Sequence, residues 1–270
     1  MGTWICNGRL RDDEPALPAR DAGVLRGDGV FEVMDVRGGR PFALDAHLER
    51  LGRSAARLRL DVDLDVVRAD LALLCKASGE ERHCIRFFVT HGGHRIGLPE
   101  PAPSWPDVLH VQPVAHRISP LVVGIKSLSY APHMLARREA VSHGADEALL
   151  YDADTGVVLE GPTSAFCWVA DGELFVPPLE LGILDSITRR VLCTVCDVQE
   201  RELRVDRLGS VEAAALLGTG VDLVPIGHVG GVGPLDARDA TIQVAAARVR
   251  EAIDAHLPIS LDEPAERLPR

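Results

Sequence analysis

The chain contains very little lysine. Of its 29 basic residues, only Lys76 and Lys126 are lysines. Arginine stays charged, whereas a desolvated lysine amine can lose its proton and attack a carbonyl group. Lys126 lies within the apolar run 120–130, which has the pattern of a buried strand. Lys126 is therefore a candidate Schiff-base lysine, and the alternative is a strand-end lysine whose ammonium group reaches solvent.

Long apolar runs and excess positive charge are also missing. No segment is long and apolar enough to span a membrane, and the N-terminus lacks the apolar region of a signal peptide. The formal net charge of −11 disfavours binding to a nucleic-acid backbone, although it leaves room for a local site that binds a small anion. The six cysteines lie mostly in apolar segments, as reduced core thiols do, and we expect no metal site. We expect a cytoplasmic protein that binds neither nucleic acid nor membrane.

The first part of the chain mixes strand and helix patterns. Short apolar runs bounded by turn residues predict strands, and longer periodic runs predict helices. The predicted strands are 3–6, 30–36, 84–90 and 108–114, and the predicted helices are 45–58 and 64–77. Gly38-Gly39 predicts a hairpin turn. We therefore expect a small α+β domain over residues 1–115 and a polar linker at 116–122.

The second part of the chain is richer in strands. The predicted strands are 147–151, 157–160, 165–170 and 173–176, with a strand-loop unit at 213–226. Helices are predicted over 134–143, from Asp185 onward in the helix-like run that reaches Glu200, and over 240–256. We expect a larger β-rich domain over residues 123–256 and a loose tail over 257–270.

Several elements offer groups for an anionic aromatic ligand. Asp45 has the position of a helix N-cap, and Arg50 lies on a face of that helix from which it could hold a phosphate group, or it is a surface arginine. The helix opening at 184–188 and the turn 217–220 offer backbone N–H donors to a phosphate. Glu160 ends a strand, where it pairs with a protonated ring nitrogen or lies in solvent.

Seven short motifs occur in the order found in one enzyme family. They are Arg26–Glu32, His47–Leu51, Ile125–Tyr130, Ala145–Leu149, Leu159–Gly161, Gly182–Arg189 and Gly218–Thr219 ahead of Val224–Ile226. On these motifs the chain resembles the fold-type IV enzymes that use pyridoxal phosphate (PLP), which include branched-chain and D-amino-acid aminotransferases, (R)-amine transaminases and aminodeoxychorismate lyases. The resemblance implies a two-domain fold of the α+β / α/β class. A small N-terminal α+β domain precedes a larger C-terminal β-rich domain with surrounding helices, and PLP is the cofactor.

The resemblance also implies the roles of particular residues. Lys126 forms the internal aldimine and shuttles a proton, and Glu160 keeps the pyridine nitrogen protonated so that the ring acts as an electron sink. The other implied cofactor contacts are Arg50, Ile187, Thr188, Gly218 and Thr219 at the phosphate, Leu184 on the ring and Tyr130 near the phenolic oxygen. Ser129 and Ala165 stand where many members have asparagine, so the subfamily stays open.

The family places one strand face in the substrate pocket. Phe31, Val33 and Asp35 alternate on that face. Asp35 either points into the pocket, where it disfavours a second substrate carboxylate and a branched-chain side chain, or is solvated at the strand end. Two arginines are candidates for gripping the substrate α-carboxylate, and each is alternatively a solvated loop residue. They are Arg95, in the glycine-rich loop 91–97, and Arg26, in a loop that the family sends to the neighbouring subunit.

The resemblance leaves four activities open. We expect first a transaminase that moves an amino group between a D-amino acid and a 2-oxo acid, with (R)-amines as further donors. The alternatives, in order, are an aminodeoxychorismate lyase, a branched-chain aminotransferase and a PLP-binding protein without catalysis. The family further implies a homodimer with shared active sites, whose small-molecule partners are amino acids and 2-oxo acids.

Overall fold

The computed structural model describes residues 3–259, which divide into two compact units. The small unit holds residues 3–103, 125–130 and 258–259, and the large unit holds 104–124 and 131–257. The boundary expected at 116–122 is therefore wrong, because the chain enters the large unit at residue 104 and returns briefly to the small one. This return puts Lys126 in the small unit. Most of the tail expected at 257–270 lies outside the described residues.

The small unit is a six-stranded antiparallel sheet with helices. Its strands are β1 (Trp4–Cys6), β2 (Arg9–Arg11), β3 (Gly29–Arg37), β4 (Arg40–Pro41), β5 (His83–Thr90) and β6 (Arg95–Glu100), and its helices are α1 (Ala22–Arg26), α2 (Leu44–Arg57) and α3 (Leu64–Ser78). The sheet order is β2-β1-β6-β5-β3-β4. The two helices and three of the strands that the sequence predicts here are confirmed to within one residue at each end. The hairpin at Gly38-Gly39 is confirmed as the turn between β3 and β4.

The faces of β3 divide the small unit into a core side and a second side. Val30 and Met34 are buried in a core cluster with leucines of α2 and α3. Because side chains alternate along a strand, Phe31, Val33 and Asp35 lie on the other face. The N-cap of α2 is Ala43 in a left-handed conformation, so the N-cap expected at Asp45 is wrong. Asp45 lies in the first turn of the helix, where its carboxylate suits the helix dipole.

The large unit is built on an eight-stranded sheet. Its strands are β7 (Leu109–His116), β8 (Glu147–Asp152), β9 (Ala165–Ala170), β10 (Glu173–Val176), β11 (Val198–Glu200), β12 (Ala213–Gly218), β13 (Asp222–Val229) and β14 (Gly233–Pro234). Its helices are α4 (Ala131–Ser142), α5 (Ile187–Val195) and α6 (Ala240–Asp254). The order is β11-β10-β9-β12-β13-β7-β8, with β14 paired to β13. Trp168 lies in its core, stacked between Phe166 and Phe175.

Two expectations for the large unit are wrong in detail. Residues 157–160 were expected to form a strand, and they make only isolated bridges such as Tyr151 with Val158. The helix-like run from Ile187 ends at Val195, because Cys196 is extended and the chain then continues as β11. None of the helices in the described part of the chain is long and apolar enough to cross a membrane.

Candidate active site

Lys126 is held beside strand β3 by backbone hydrogen bonds. The N–H of Phe31 donates to the carbonyl of Lys126 at 3.0 Å, and the N–H of Leu128 donates to the carbonyl of Gly29 at 2.9 Å. The N–H of Lys126 in turn donates to the hydroxyl of Ser54 at 3.3 Å. The segment 125–130 is irregular apart from one bridge, so the strand expected around Lys126 is wrong. The lysine is half-buried.

The ring of Phe31 lies under the lysine amine. Nζ of Lys126 is 4.6 Å from the centroid of that ring. Tyr130 packs edge-on against the same ring, with centroids 5.3 Å apart and an angle of 88°. Lys126, Tyr130 and Phe31 therefore form one cluster on the second face of β3, and this cluster combines an amine with an aromatic surface.

Arg50 is buried and held by a carboxylate of the neighbouring strand. Its Nε and Nη2 donate to the two oxygens of Glu32 at 2.8 and 2.6 Å. His47, one helical turn before Arg50, lies 2.8 Å from the same carboxylate through Nδ1. The alternative of a surface arginine is therefore wrong, since Arg50 is only 5% exposed. The two bonds occupy the edge of the guanidinium group formed by Nε and Nη2.

The pKa values of this buried trio follow from its charges. Burial alone raises the pKa of the Glu32 carboxyl, but the charge and hydrogen bonds of Arg50, with those of His47, outweigh it and lower that pKa to about 2. Burial lowers the pKa of His47, an effect that Glu32 partly offsets. The trio thus holds an ionised carboxylate, a charged guanidinium and a neutral imidazole at neutral pH.

In the large unit, Glu160 and the start of α5 form a second group of donors and acceptors. The N–H of Leu184 donates to Oε1 of Glu160 at 3.1 Å, so the carboxylate is oriented by backbone rather than loose in solvent. Ser186 caps α5, and Ile187 and Thr188 are buried in its first turn. The first N–H groups of a helix have no partner inside the helix and suit an anion. Gly218 is the last residue of β12, and Thr219 begins the turn to β13.

Each unit, taken by itself, carries groups that suit a part of PLP. The small unit supplies an amine for the aldehyde carbon, an aromatic ring and a buried guanidinium group. The large unit supplies a carboxylate for the ring nitrogen, together with a hydroxyl group and helix N–H groups for the phosphate. A phosphate is best held by charge-assisted donors of these kinds, so the groups within each unit are of the types that the cofactor needs.

The five residues expected to contact the substrate have different surroundings. Phe31 and Val33 lie on the same face as Lys126. Asp35 is buried on that face, where it is 2.8 Å from Arg37 and 3.1 Å from Arg82. Its charge is therefore compensated.

The two arginines expected to grip a carboxylate lie apart. Arg26 is exposed at the end of α1. Arg95 belongs to strand β6 rather than to a loop, and its Nε donates to Asp70 of α3 at 2.9 Å. Because β6 is paired with β5 such that Arg95 faces Val89 of the core cluster, Arg95 lies on the opposite face from Phe31.

Arg86 is a residue beside Phe31 that the sequence reasoning missed. Its register partner is Val33, so it lies on the face that carries Phe31. The guanidinium carbon is 5.5 Å from the Phe31 centroid, and Nε and Nη2 donate to Glu100 at 2.7 and 3.0 Å. The strand containing Arg86 was predicted, but its register against β3 was not, and only that register brings Arg86 to Phe31.

The chain matches a known protein family over most of its length. The model of the family described as amino-transferase class IV matches residues 29–229, so the chain belongs to the class IV aminotransferases. These enzymes use PLP, and the fold is that of the fold-type IV group. The family, the fold class and the cofactor expected from the sequence motifs are thereby confirmed.

Three curated relatives carry different activities in their names. A putative branched-chain-amino-acid aminotransferase of Methanocaldococcus jannaschii is 31% identical over 255 residues, covering 83% of this chain and 87% of that protein. A D-alanine aminotransferase of Staphylococcus epidermidis is 26% identical over 269 residues, covering 90% and 94%. A bifunctional aminodeoxychorismate lyase / D-amino acid transaminase of Mycobacterium tuberculosis is 30% identical over 237 residues, covering 73% and 80%.

One solved structure illustrates the likeness of fold. A hypothetical aminotransferase from Mycobacterium tuberculosis, in its PLP-bound form, aligns with a TM-score of 0.85 at 26% identity. The alignment covers 94% of this chain and 99% of that one. The architecture is therefore shared over nearly the whole chain.

Proposed function

We propose that the chain is a PLP-dependent transaminase that moves an amino group between a D-amino acid and a 2-oxo acid, with (R)-amines as secondary donors. The observation that carries the proposal is the charged character of the sheet face next to Lys126. Arg86 with Glu100, and Asp35 with its two arginines, lie on the face that carries Phe31. Such a face suits a substrate with a carboxylate.

In this proposal each cofactor-binding residue has a role that agrees with its contacts in the structure. PLP, when bound, supplies the electron sink for reactions at the substrate Cα. Lys126 binds the cofactor covalently and moves the proton at Cα. Glu160, oriented by the N–H of Leu184, pairs with the ring nitrogen. Arg50, Thr188 and the first N–H groups of α5 bind the phosphate, with Gly218, Thr219 and Ile187 beside them.

Arg86 is the better partner for a substrate carboxylate within its own subunit. Arg95 faces the core side of the sheet and is already paired with Asp70. Arg86, by contrast, shares the ring of Phe31 with the amine of Lys126. A carboxylate that leaves water needs a charge-assisted partner, and a guanidinium group provides one in two-point geometry.

The same face argues against a branched-chain substrate. A branched apolar side chain gains free energy when it covers apolar surface, and covering ion pairs forfeits that gain because the charged groups lose water. The D-configuration is supported by the relatives whose names specify D-alanine or D-amino acid substrates. The relative of Methanocaldococcus jannaschii makes the branched-chain activity the principal competitor.

A lyase activity is the second candidate. The relative from Mycobacterium tuberculosis bears both a lyase and a D-amino acid transaminase in its name. Elimination of pyruvate uses the same cofactor and the same carboxylate-binding needs, so Arg86 serves either reaction. The two activities differ in product, which makes them separable in one assay.

A panel of amino donors tests the proposal. D-Alanine, D-glutamate, L-leucine and (R)-1-phenylethylamine are each offered with pyruvate or 2-oxoglutarate, beside an aminodeoxychorismate assay. We expect the highest kcat/KM for a D-amino acid, and a loss of about tenfold for D-alanine in Arg86→Gln with a much smaller loss for the amine. Faster turnover of L-leucine than of either D-amino acid would overturn the substrate assignment.

We also propose that the protein is a homodimer in which Arg26 reaches the partner's site. The short helix α1 ends in Arg26 and exposes two apolar residues, Val24 at 55% and Leu25 at 60%. Exposed apolar side chains next to a charged residue are typical of protein interfaces. Light scattering should give the mass of two chains, and an active monomer would contradict the shared site.

A further inference from the structure

Arg86 and Glu100 form a two-point ion pair on the substrate face of the small sheet. Nε donates to Oε1 at 2.7 Å and Nη2 donates to Oε2 at 3.0 Å. The two residues lie on adjacent strands β5 and β6, where Leu98 faces Arg86 and Glu100 faces Cys84. They are therefore diagonal neighbours on one face, within reach of each other's side chains. The side chains are 38% and 35% exposed.

The arginine of this pair and the amine of Lys126 both contact the ring of Phe31. The guanidinium group of Arg86 packs on the ring of Phe31 at 5.5 Å, and Nζ of Lys126 lies 4.6 Å from the same ring. A substrate that reacts at Lys126 and extends over Phe31 therefore meets Arg86 while Glu100 is bound to it. Glu100 is itself a carboxylate, so it has the same chemistry as the substrate group that Arg86 would bind.

We propose that Glu100 is a specificity-determining residue that stands in for a substrate carboxylate at Arg86. The inference rests on the proposed function, in which Arg86 binds that carboxylate. With Glu100 present, the charge of Arg86 is compensated whether or not the substrate has a carboxylate. The site then accepts amines that lack a carboxylate as well as amino acids, and its affinity for amino acids is lower than Arg86 alone would give.

Glu100 opposes a substrate carboxylate by either available route. A carboxylate that binds the edge formed by Nε and Nη2 must displace Glu100. A carboxylate that binds the edge formed by Nη1 and Nη2 lies beside Glu100 and is repelled by its charge. On either route, Glu100 weakens the binding of a substrate carboxylate. Since both partners are about one-third exposed, a displaced Glu100 regains water and the effect is modest.

Glu100 favours a substrate without a carboxylate by the converse argument. An apolar amine substituent that covers Arg86 removes water from its guanidinium group. A charge that loses water without a partner is disfavoured, and the presence of Glu100 reduces that penalty. Amines and amino acids should therefore respond in opposite directions when the charge of Glu100 is removed.

The substitution Glu100→Gln removes the charge and keeps the side-chain size. We expect KM for D-alanine to fall by about threefold to fivefold, and kcat/KM for (R)-1-phenylethylamine to fall by a similar factor, because an exposed ion pair has an effect of this size. Glu81→Gln makes the same change in net charge at an exposed position of the same unit and should alter neither value. In an Arg86→Gln background, Glu100→Gln should have no further effect. A change of kcat/KM in the same direction for both donors would overturn the proposal, because a loss of folding or of cofactor acts on both alike.

A binding measurement separates this proposal from the transaminase assignment. Butyrate and butyramide have nearly the same shape and differ in charge, and their binding to the holoenzyme is followed by the visible absorbance of the cofactor. We expect Glu100→Gln to bind butyrate about threefold to fivefold more tightly and butyramide no more tightly than the wild type. Unchanged or weaker butyrate binding overturns the role of Glu100. A tighter butyrate complex in an enzyme that fails to use D-amino acids would instead refute only the proposed substrate.

Discussion

Glu32 binds Arg50 through both of its carboxylate oxygens, at 2.8 and 2.6 Å, in the buried space between strand β3 and helix α2. Both residues are almost fully buried. A buried pair of this kind is expensive to break, because the remaining charge keeps its loss of hydration without the carboxylate that compensated it. Glu32 therefore fixes the guanidinium group that we propose for the cofactor phosphate.

The substitution Glu32→Gln should destabilise the protein markedly. It leaves the charge of Arg50 without its carboxylate, and we expect the free energy of unfolding to fall by about 3 kcal/mol or more. Urea unfolding of the purified variant measures this loss. Glu49→Gln, at an exposed position of α2, is the matched control and should change the value by less than about 0.5 kcal/mol. Equal stability of the two variants would show that the Glu32–Arg50 pair is not a strong contact in solution.

Acid pH should weaken the same pair. The pKa of Glu32 is about 2 in the folded chain and 4.5 for an ordinary glutamate. A lowered folded-state pKa stabilises the fold above pH 4.5, and that stabilisation is lost as the pH falls towards 2. Unfolding measured at about pH 5 and about pH 3 should show a larger loss in the wild type than in Glu32→Gln. Identical losses would contradict the lowered pKa.

Lys126 should carry the cofactor covalently. The alternative lysine, Lys76, lies in the last turn of α3 in the small unit. We expect Lys126→Ala to lose the visible absorbance of bound PLP and all transaminase activity, while Lys76→Ala keeps both. Borohydride reduction followed by peptide mapping locates the label directly. A label on Lys76 would exclude Lys126 from the proposed role.

Glu160→Gln should keep the cofactor and lose most of the activity. A neutral amide still hydrogen-bonds the N–H of Leu184, but it no longer favours a protonated ring nitrogen. Electrostatic stabilisation of this kind in a dry site amounts to several kcal/mol, so kcat should fall about a thousandfold. Absorbance reports retained cofactor and steady-state kinetics report kcat. Activity within a few-fold of the wild type would remove Glu160 from this role.

The hydrophobic periodicity of the sequence was enough to predict the strand and the helix on which the candidate site residues lie. The strand of Phe31 and the helix of Arg50 have strong periodicities, and both were predicted to within one residue at each end. The motif around Lys126 identified the family although the backbone there is irregular. A motif consists of the residue types that the chemistry needs, and it does not depend on regular secondary structure. The N-cap at Asp45 was wrong since Ala43 adopts a left-handed conformation that residue type alone does not reveal.

Cross-strand relationships could not be predicted in the same way. Arg86 reaches Phe31 only because β5 pairs with β3 in one register, and a shift by one residue would turn it to the core face. The pairing of Arg95 with Asp70 depends likewise on how α3 packs against β6. Sequence reasoning selected Arg95 by its place in a glycine-rich segment, whereas the sheet register favours Arg86.

Stereochemistry is the most direct test of the proposed activity. D-Alanine and L-alanine have the same composition and charge, so a difference between them isolates the handedness of the site. Each is mixed with the PLP-loaded enzyme in a single-turnover experiment, without a 2-oxo acid, and the loss of the cofactor's visible absorbance is followed. We expect rapid conversion by D-alanine and little by L-alanine. Equal or faster conversion by L-alanine would contradict the proposed activity.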